Sequence, residues 1–564
     1  MKKSRISPFI PKSWDLLFHH YKWHYFKSDL FAGITVGLIA LPLALAFAIA
    51  SGVPPEKGLY TAVIAGFLIS LLGGSRYQIG GPTGAFVVII YSVIQRHGFD
   101  GLVFVTLLAG VILLIASLCK LGDWIKFIPY PLVTGFTTGI AFIIFSSQVK
   151  DFLGLEIGQV PADFIDKWRA IITSIHTIHW PALCVSAGTL LVILVIRKFF
   201  PILPWGITSV ALATAVTWGF QIPVETIYTK FGELNKTFPT PSLFGFSINL
   251  EHWASYMADA FTIAFLAGIE SLLSAIVADG MAGTKHKSNC ELMAQGIANI
   301  ASVSFGGIPA TGAIARTAAN VKSGAKTPLA GMIHSVTLLL ILIFFSPIVK
   351  EVSLASLAAV LMMIAWNMSE IGHFRRLFKA PLGDVGVLLT TFFLTVLADL
   401  TVAVGVGMVL ASFLFMKRVG DISKVVSLID LQKAEAKEEE VYDIDAIDRK
   451  SVPSQVEVYE IAGPFFFGVA DSLKTVLVNI ERTPKVFILR MRKVPAIDAS
   501  GMHALREFFF KCQKQGVLLL LSGVGPSLKH NLQKFGIVQD LGKDHIFSHI
   551  DHALAFATKI LEGR

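Results

Sequence analysis

The feature that most constrains this chain is a succession of apolar, almost uncharged stretches, many of them of membrane-spanning length, running from Leu30 to Met416. About 20 residues of helix, rising 1.5 Å each, cross the hydrocarbon of a bilayer. Such stretches fall near 30–50, 58–72, 84–95, 101–119, 131–149, 180–196, 205–220, 258–278, 290–304, 310–321, 328–347, 353–367, 384–398 and 400–416, fourteen segments of which several are too short to span alone. Composition agrees. At 54% hydrophobic and 15% charged, with mean hydropathy +0.66, the 564 residues carry far less than the roughly 25% charge of a soluble protein. Soluble, disordered, fibrous and disulfide-rich secreted classes are thereby excluded. Cys119, Cys184, Cys290 and Cys512 lie far apart, without the paired spacing of a zinc site or the density of a disulfide framework.

The net charge of +9 is evidence about topology rather than a nucleic-acid partner. The first thirty residues mix Lys2, Lys3, Arg5, Lys12, Lys22 and Lys27 with Trp14, Trp23 and Tyr25 and lack a cleavable apolar core, so they read as a cytoplasmic leader and not a signal peptide. Threading the segments alternately from a cytoplasmic N-terminus puts these six cations inside, along with Arg76, Lys120, Lys126, Arg197, Lys198, Lys285, Lys287, Lys322, Lys326, Arg375, Arg376, Lys379, Lys417 and Arg418. Arg96, Lys150, Lys167, Arg169, Lys230, Lys236 and Lys350 fall outside. The excess of inside cations supports this orientation. It also returns the C-terminal region to the cytoplasm, across what is expected to be the inner (plasma) membrane.

Two short segments open alike: Gly81-Pro82-Thr83-Gly84-Ala85-Phe86 and Pro309-Ala310-Thr311-Gly312-Ala313-Ile314, with Thr-Gly-Ala recurring 228 residues on. They are the third and tenth segments. Seven crossings apart, they enter from opposite sides, as an inverted-topology repeat requires, and Gly/Pro-interrupted segments at matching places mark a transporter's binding site. A half-helix that starts inside the membrane leaves its first N–H groups unpaired and carries about half a positive charge there, so two such ends facing one another form an anion site. Thr83 and Thr311 are placed to cap or donate. The plainer reading of the Gly and Pro residues is close packing or a kink, which also suits Pro42, with Phe47 one turn beyond it as an apolar wall.

A charge in the membrane costs roughly 2.5–3.5 kcal/mol or more, so each needs a reason. Glu270, mid-way along the eighth segment with Ser274 one turn later, suits a proton carrier, a Na⁺ ligand or a helix-locking carboxylate. Arg316, in the tenth segment, either adds positive potential behind the anion site or answers Glu270; snorkelling is the bland alternative. Asp399 reads as a turn residue at an interface, and Glu291 and His334 as structural.

After Arg418 the composition changes. Lys433 to Lys450, including Glu438-Glu439-Glu440, is a solvated linker. Strand patterns at 456–461, 486–489 and 517–520 alternate with helix-like stretches, which makes a small α/β domain. Asp498 and Ser500, before the helix containing Met502–Phe510, are both suited to capping it.

Leu41-Pro42-Leu43-Ala44-Leu45-Ala46-Phe47-Ala48, Gly58-Leu59-Tyr60, Gly80-Gly81-Pro82-Thr83-Gly84, Asn289-Cys290-Glu291-Leu292, Gln295-Gly296-Ile297-Ala298-Asn299 and Thr311-Gly312-Ala313-Ile314-Ala315-Arg316-Thr317 resemble the SulP family of anion transporters, over nearly the whole chain. The resemblance implies an elevator in which core segments 1–4 and 8–11 move against a gate of 5–7 and 12–14, a sulfate, bicarbonate, chloride or dicarboxylate substrate, and a homodimer. It implies substrate contacts from Pro82, Thr83, Gly84, Ala85, Thr311, Gly312, Ala313 and Arg316, and cation coupling at Glu270, where glutamate favours protons over Na⁺. Two positions depart from the family: Ala315 replaces a serine beside the arginine, and apolar Leu43 or Ala40 replaces a glutamine. Asp498-Ala499-Ser500-Gly501 resembles the signature loop of STAS domains, in which the matching serine can be phosphorylated.

The expected architecture is an α-helical polytopic membrane protein with fourteen transmembrane segments in a seven-plus-seven inverted repeat, plus a cytoplasmic α/β STAS domain. Its divisions are a leader over 1–29, a transport domain over 30–418, a linker over 419–453 and the STAS domain over 454–564. The expected function is secondary transport of a small anion coupled to H⁺. Rivals are a Na⁺-coupled bicarbonate carrier, a nucleobase permease, an uncoupled channel, and a membrane-tethered anion sensor whose STAS domain recruits a cytoplasmic protein. No Walker A motif, nucleophile–base set or metal cluster points to an ATP-driven pump, an enzyme or a bound cofactor.

Overall fold

The computed structural model describes residues 9–19, 21–158, 160–161, 163–200, 203–234, 239–241, 252–398, 400–422, 424–427, 450–466, 473 and 484–563. Asp399, Glu438–Glu440, Lys2, Lys3, Arg5 and Lys236 lie outside them. The chain divides into two compact units, Met1–Ala411 and Ser412–Arg564.

In the first unit the helices are α1 (Lys12–His19), α2 (His24–Ala50), α3 (Pro55–Leu72), α4 (Gly84–Leu118), α5 (Tyr130–Leu153), α6 (Phe164–Thr173), α7 (Trp180–Phe199), α8 (Trp205–Gly219), α9 (Ile227–Phe231), α10 (Trp253–Ala282), α11 (Ser288–Ser304), α12 (Ile314–Lys322), α13 (Leu329–Val349), α14 (Leu354–Met368), α15 (Ile371–Leu377) and α16 (Leu382–Leu397); α17 (Leu400–Ile422) leads out of it. Strands β1 (Gly80–Gly81) and β2 (Thr311–Gly312) precede α4 and α12. Among the described residues nine helical stretches are long and apolar enough to cross a membrane. The shortfall from fourteen has two sources. The third and fourth segments share the single run of α4, broken at Gly98 where φ is +68°, and α8, α11, α12 and α16 are short, from 9 to 17 residues.

Small residues set how these helices meet. Lipid gives no hydrophobic reason for helices to associate, so close backbone approach must supply it. Gly33 and Gly37 of α2 press on Ala330, Ile333 and Thr337 of α13, and Gly135 and Gly139 of α5 press on Leu388 and Thr395 of α16. Gly110 of α4 and Gly296 of α11 touch one another's backbone; a Cβ on either would stand under 3.0 Å from the partner's carbonyl oxygen. One set of helices is thus α2, α3, α4 and α10 to α13, and a second is α5, α7, α14 and α16, with α14 and α8 also touching α2. The leader is tied to the first set: Lys12 N–H donates to Gly73 O at 3.0 Å and Ser13 Oγ donates to Leu71 O.

The second unit holds a four-stranded sheet in the order β3 (Lys424–Ser427), β4 (Val456–Ala462), β5 (Val486–Lys493), β6 (Leu518–Ser522), antiparallel at β3–β4 and parallel thereafter. Among the described residues it also holds helices α18 (Ala499–Lys514), α19 (Pro526–Lys534), α20 (Ile537–Leu541) and α21 (Ile550–Leu561). Parallel strands are covered on both faces: Phe487, Leu489 and Leu521 pack with Leu505 and Phe508, while Val458, Ile488 and Leu520 pack with Ile550, Ala553 and Leu554. Strand β3 falls inside the stretch read as linker. Four residues with two valines carry too little pattern to register as a strand until β4 is there to pair with.

Candidate functional site

The two Thr-Gly-Ala loops meet. Gly80 pairs with Gly312 and Gly81 with Thr311 in an antiparallel ladder, so α4 and α12 leave the crossing in opposite directions. Further bonds stitch it: Ala313 N–H donates to Ile79 O at 2.8 Å, Ile79 N–H donates to Thr317 Oγ1 at 3.0 Å, and Asn320 Nδ2 donates to Tyr77 O at 3.0 Å. The second loop stays extended through Ala313, and α12 begins at Ile314 rather than at 310 as its hydropathy suggests.

Both threonines turn away from their own helices and dock on one turn of α10. Thr83 occupies the N-cap of α4, yet its hydroxyl makes no capping bond and donates to Glu270 Oε2 at 2.8 Å. Thr311 Oγ1 donates to Ala267 O at 2.8 Å. Thr83 does not act as the helix cap that its position allows, and Thr311 lies two residues before Ala313, the N-cap of α12. Glu270 thus stands beside the first turn of α4 as a half-buried carboxylate.

Arg316 is 2% exposed and points inward, which removes the snorkelling alternative. Its Nη2 donates to Pro82 O, and its buried Nη1 has no hydrogen-bond partner among the described residues. Guanidinium and carboxylate are thus each bonded to the same loop, at the neighbouring residues Pro82 and Thr83, and not to one another. A buried donor without a partner is costly, of order 1–3 kcal/mol, and an anion is the natural acceptor.

Apolar groups wall the start of α4. A Cβ on Gly84 would stand 2.9 Å from Met368 Sδ and 3.3 Å from both Ile144 Cδ1 and Phe47 Cε1, so α2, α5 and α14 all reach this helix end. Phe47, Ala85 and Ala313 are buried. Ser274 is buried, its hydroxyl has no partner among the described residues, and it takes no part in the Thr83–Glu270 contact. In the second unit Asp498, not Ser500, is the cap of α18: its Oδ1 accepts from Gly501 N at 2.7 Å, which leaves Ser500 exposed in the first turn.

Several participants were not singled out from the sequence. Ile144 and Met368 are ordinary apolar residues of other helices, and nothing local marks them. Gln78 donates at 3.1 Å to both the carbonyl and the hydroxyl of Ser271 and lies against Gly312, where a Cβ would overlap it at 1.5 Å. A polar residue just before a Gly-Gly-Pro loop was the available signal. Glu291, read as structural, is a fully buried acceptor for Gly74 N, Ser75 N, Ser271 Oγ and Gln295 Nε2 at 2.9–3.2 Å, and so fixes the loop behind β1.

The sulfate permease family model matches residues 26–391 and the STAS domain model matches residues 449–553. A Bacillus subtilis (strain 168) protein named "Putative sulfate transporter YvdB" is 41% identical over 537 residues, which covers 95% of this chain and 98% of that protein. Bicarbonate transporter BicA of Picosynechococcus sp. is 30% identical over 543 residues, 94% of each chain. The solved structure of the murine solute carrier 26 family member A9 anion transporter superposes with a TM-score of 0.86 over 97% of this chain and 94% of that one, at 18% identity, a likeness of fold.

Proposed function

Because this chain belongs to the sulfate permease family, we propose that it is a secondary active transporter of a small anion, bound between the starts of α4 and α12 and driven by protons. The observation that carries the coupling is the 2.8 Å bond from Thr83 to Glu270, which joins the helix end that would hold the anion to a titratable carboxylate. An anionic Glu270 opposes a second negative charge nearby. Two unit charges about 6 Å apart at an effective dielectric of ~20 repel by about 3 kcal/mol, roughly a hundredfold in affinity. A proton on Glu270 removes that opposition. Anion and proton then load together, which is symport.

Sulfate, bicarbonate and dicarboxylates are the substrate class, and the names of two relatives support the first two of these. The bicarbonate relative makes Na⁺ the rival coupling ion, held by Glu270 and neighbouring oxygens. Loading is read as followed by an elevator movement of the helix set around α10 past the set around α14. The N- and C-termini are assigned to the cytoplasm and the protein to the inner (plasma) membrane as a homodimer, with the STAS domain open to a cytoplasmic partner and Ser500 to phosphorylation.

The test is uptake of radiolabelled sulfate, bicarbonate and succinate into proteoliposomes under an inward H⁺ gradient, an inward Na⁺ gradient, or neither. Concentrative uptake with protons, lost in Glu270→Gln, is the expected result. Uptake with Na⁺ alone would install the rival, and binding without turnover would favour a sensor.

A further inference from the structure

A cavity of about 420 Å³ lies against the site on the side toward which α2 and the first part of α4 run. It begins one helical turn on: Ile49 and Ala50 line it just beyond Phe47, Val87 and Val88 beyond Gly84, and Ile143 and Ser147 on either side of Ile144. Four cations and three carboxylates line it, and three of the cations are engaged. Arg96 pairs with Asp259 at 2.9 Å and Lys230 with Asp151 at 3.7 Å, while Lys150 donates to the carbonyls of Ile157 and Gly158.

The fourth is different. Lys167, on α6, is 4% exposed; among the described residues its ammonium makes no hydrogen bond or ion pair, and Asp163 at the cap of the same helix acts on it only through space. Its ammonium lines the cavity while the rest of the side chain is buried, and packing alone would favour an apolar residue of similar length at such a place. An acceptor that arrives from solution and fills the cavity resolves the difficulty.

We propose that this cavity is a second anion site, at which Lys167 captures a small inorganic anion before it reaches the crossing loops. The capture step stands on geometry alone; the onward route rests on the transport reading above. An ammonium is a point charge with three donors and imposes no planar geometry. Ser92 and Gln148 add polar groups to the lining, and the volume admits an anion with part of its hydration shell. The site therefore concentrates compact anions and leaves selection to the loops. All four lining cations belong to the set that the charge count places outside, so capture serves entry from that face.

The test has two arms on the full-length protein. In proteoliposomes of known orientation, Lys167→Gln should raise the half-saturation concentration of the transported anion on the outer face by roughly tenfold, with maximal rate and inner-face half-saturation unchanged, and Lys167→Arg should stay near the wild type. An unchanged outer value, or equal rises on both faces, overturns the proposal. In detergent, acylation of the Lys167 amine in the wild type, read by peptide mass spectrometry, should slow severalfold in sulfate, bicarbonate or chloride relative to gluconate at matched ionic strength. Absence of protection by all three overturns it as well. A wild type that moves no anion would sink the transport reading, yet protection would still decide this one.

Discussion

Arg316 occupies the space that a side chain on Gly81 would need: a Cβ there would stand 2.7 Å from Nη1, at a residue whose φ is +147°. Only glycine serves, for the conformation and for the approach. Gly81→Ala is therefore expected to displace the guanidinium from the loop, at a cost of about 1–3 kcal/mol in stability and at least a tenfold loss of anion affinity. Equilibrium binding of labelled sulfate and bicarbonate, beside a thermal melt in detergent, separates the two effects. A variant that melts lower but binds normally would detach Arg316 from the site.

Thr83 and Glu270 should behave as one unit. Thr83→Val keeps the shape and removes the donor, and Glu270→Gln keeps the shape and removes the charge. If the hydroxyl acts through the carboxylate, Thr83→Val will change anion affinity in the wild type but not in Glu270→Gln, a coupling of about 0.5–3 kcal/mol. An equal effect of Thr83→Val in both backgrounds, read in a binding titration, would mean that Thr83 addresses the anion independently.

The sequence could be read as far as its information was local. Uncharged runs predicted where helices lie, and the matching Thr-Gly-Ala loops predicted a meeting of two inverted halves, because hydropathy and repetition need no partner to be seen. Where α12 starts did not follow, since Thr311 and Gly312 are held extended by Gly80 and Gly81, far away in the chain. The fate of the threonine hydroxyls was hidden for the same reason: capping is a local expectation, and α10 outcompetes it. Gly98, which breaks α4 without interrupting it, was legible only as a boundary between two segments.

Cys512 offers a check on the second unit. It is fully buried on α18, and burial pushes its thiol up to about 12. At pH 8 about one part in ten thousand is thiolate, so Cys512 should resist maleimide in the native protein while exposed Cys119 reacts. Mass spectrometry of the labelled chain reports both. Rapid labelling of Cys512 would mean that α18 does not stay packed on the sheet.

Asp498 and Ser500 can be told apart by stability. Asp498→Ala removes the bond to Gly501 N and should destabilise the second unit by about 0.5–2 kcal/mol, whereas Ser500→Ala should lie within about 0.5 kcal/mol of the wild type. Hydrogen exchange of the α18 amides in the full chain measures this. Equal losses would give Ser500 a structural share and weaken its reading as a site kept free for a phosphate.

Lys167 should make anion capture fall as pH rises. It lies on α6, between the spanning helices α5 and α7, and burial brings it down to about 8 from an ordinary 10.5, with Asp163 opposing the shift. Below about 8 the ammonium is present and the anion has its partner. Above it the amine is neutral, and affinity should drop up to tenfold per pH unit until binding no longer depends on this residue. Folding responds in the opposite sense: between about 8 and 10.5 the unfolded chain binds more protons, so stability rises with pH. The other groups lining the cavity, Arg96, Lys150, Asp151, Lys230 and Asp259, are present in both the wild type and Lys167→Arg, whose guanidinium stays charged throughout. Glu270 is common to both as well. The difference between their binding curves, measured in detergent at equal pH throughout, isolates Lys167; parallel curves from pH 7 to 9 would show that its charge takes no part in capture.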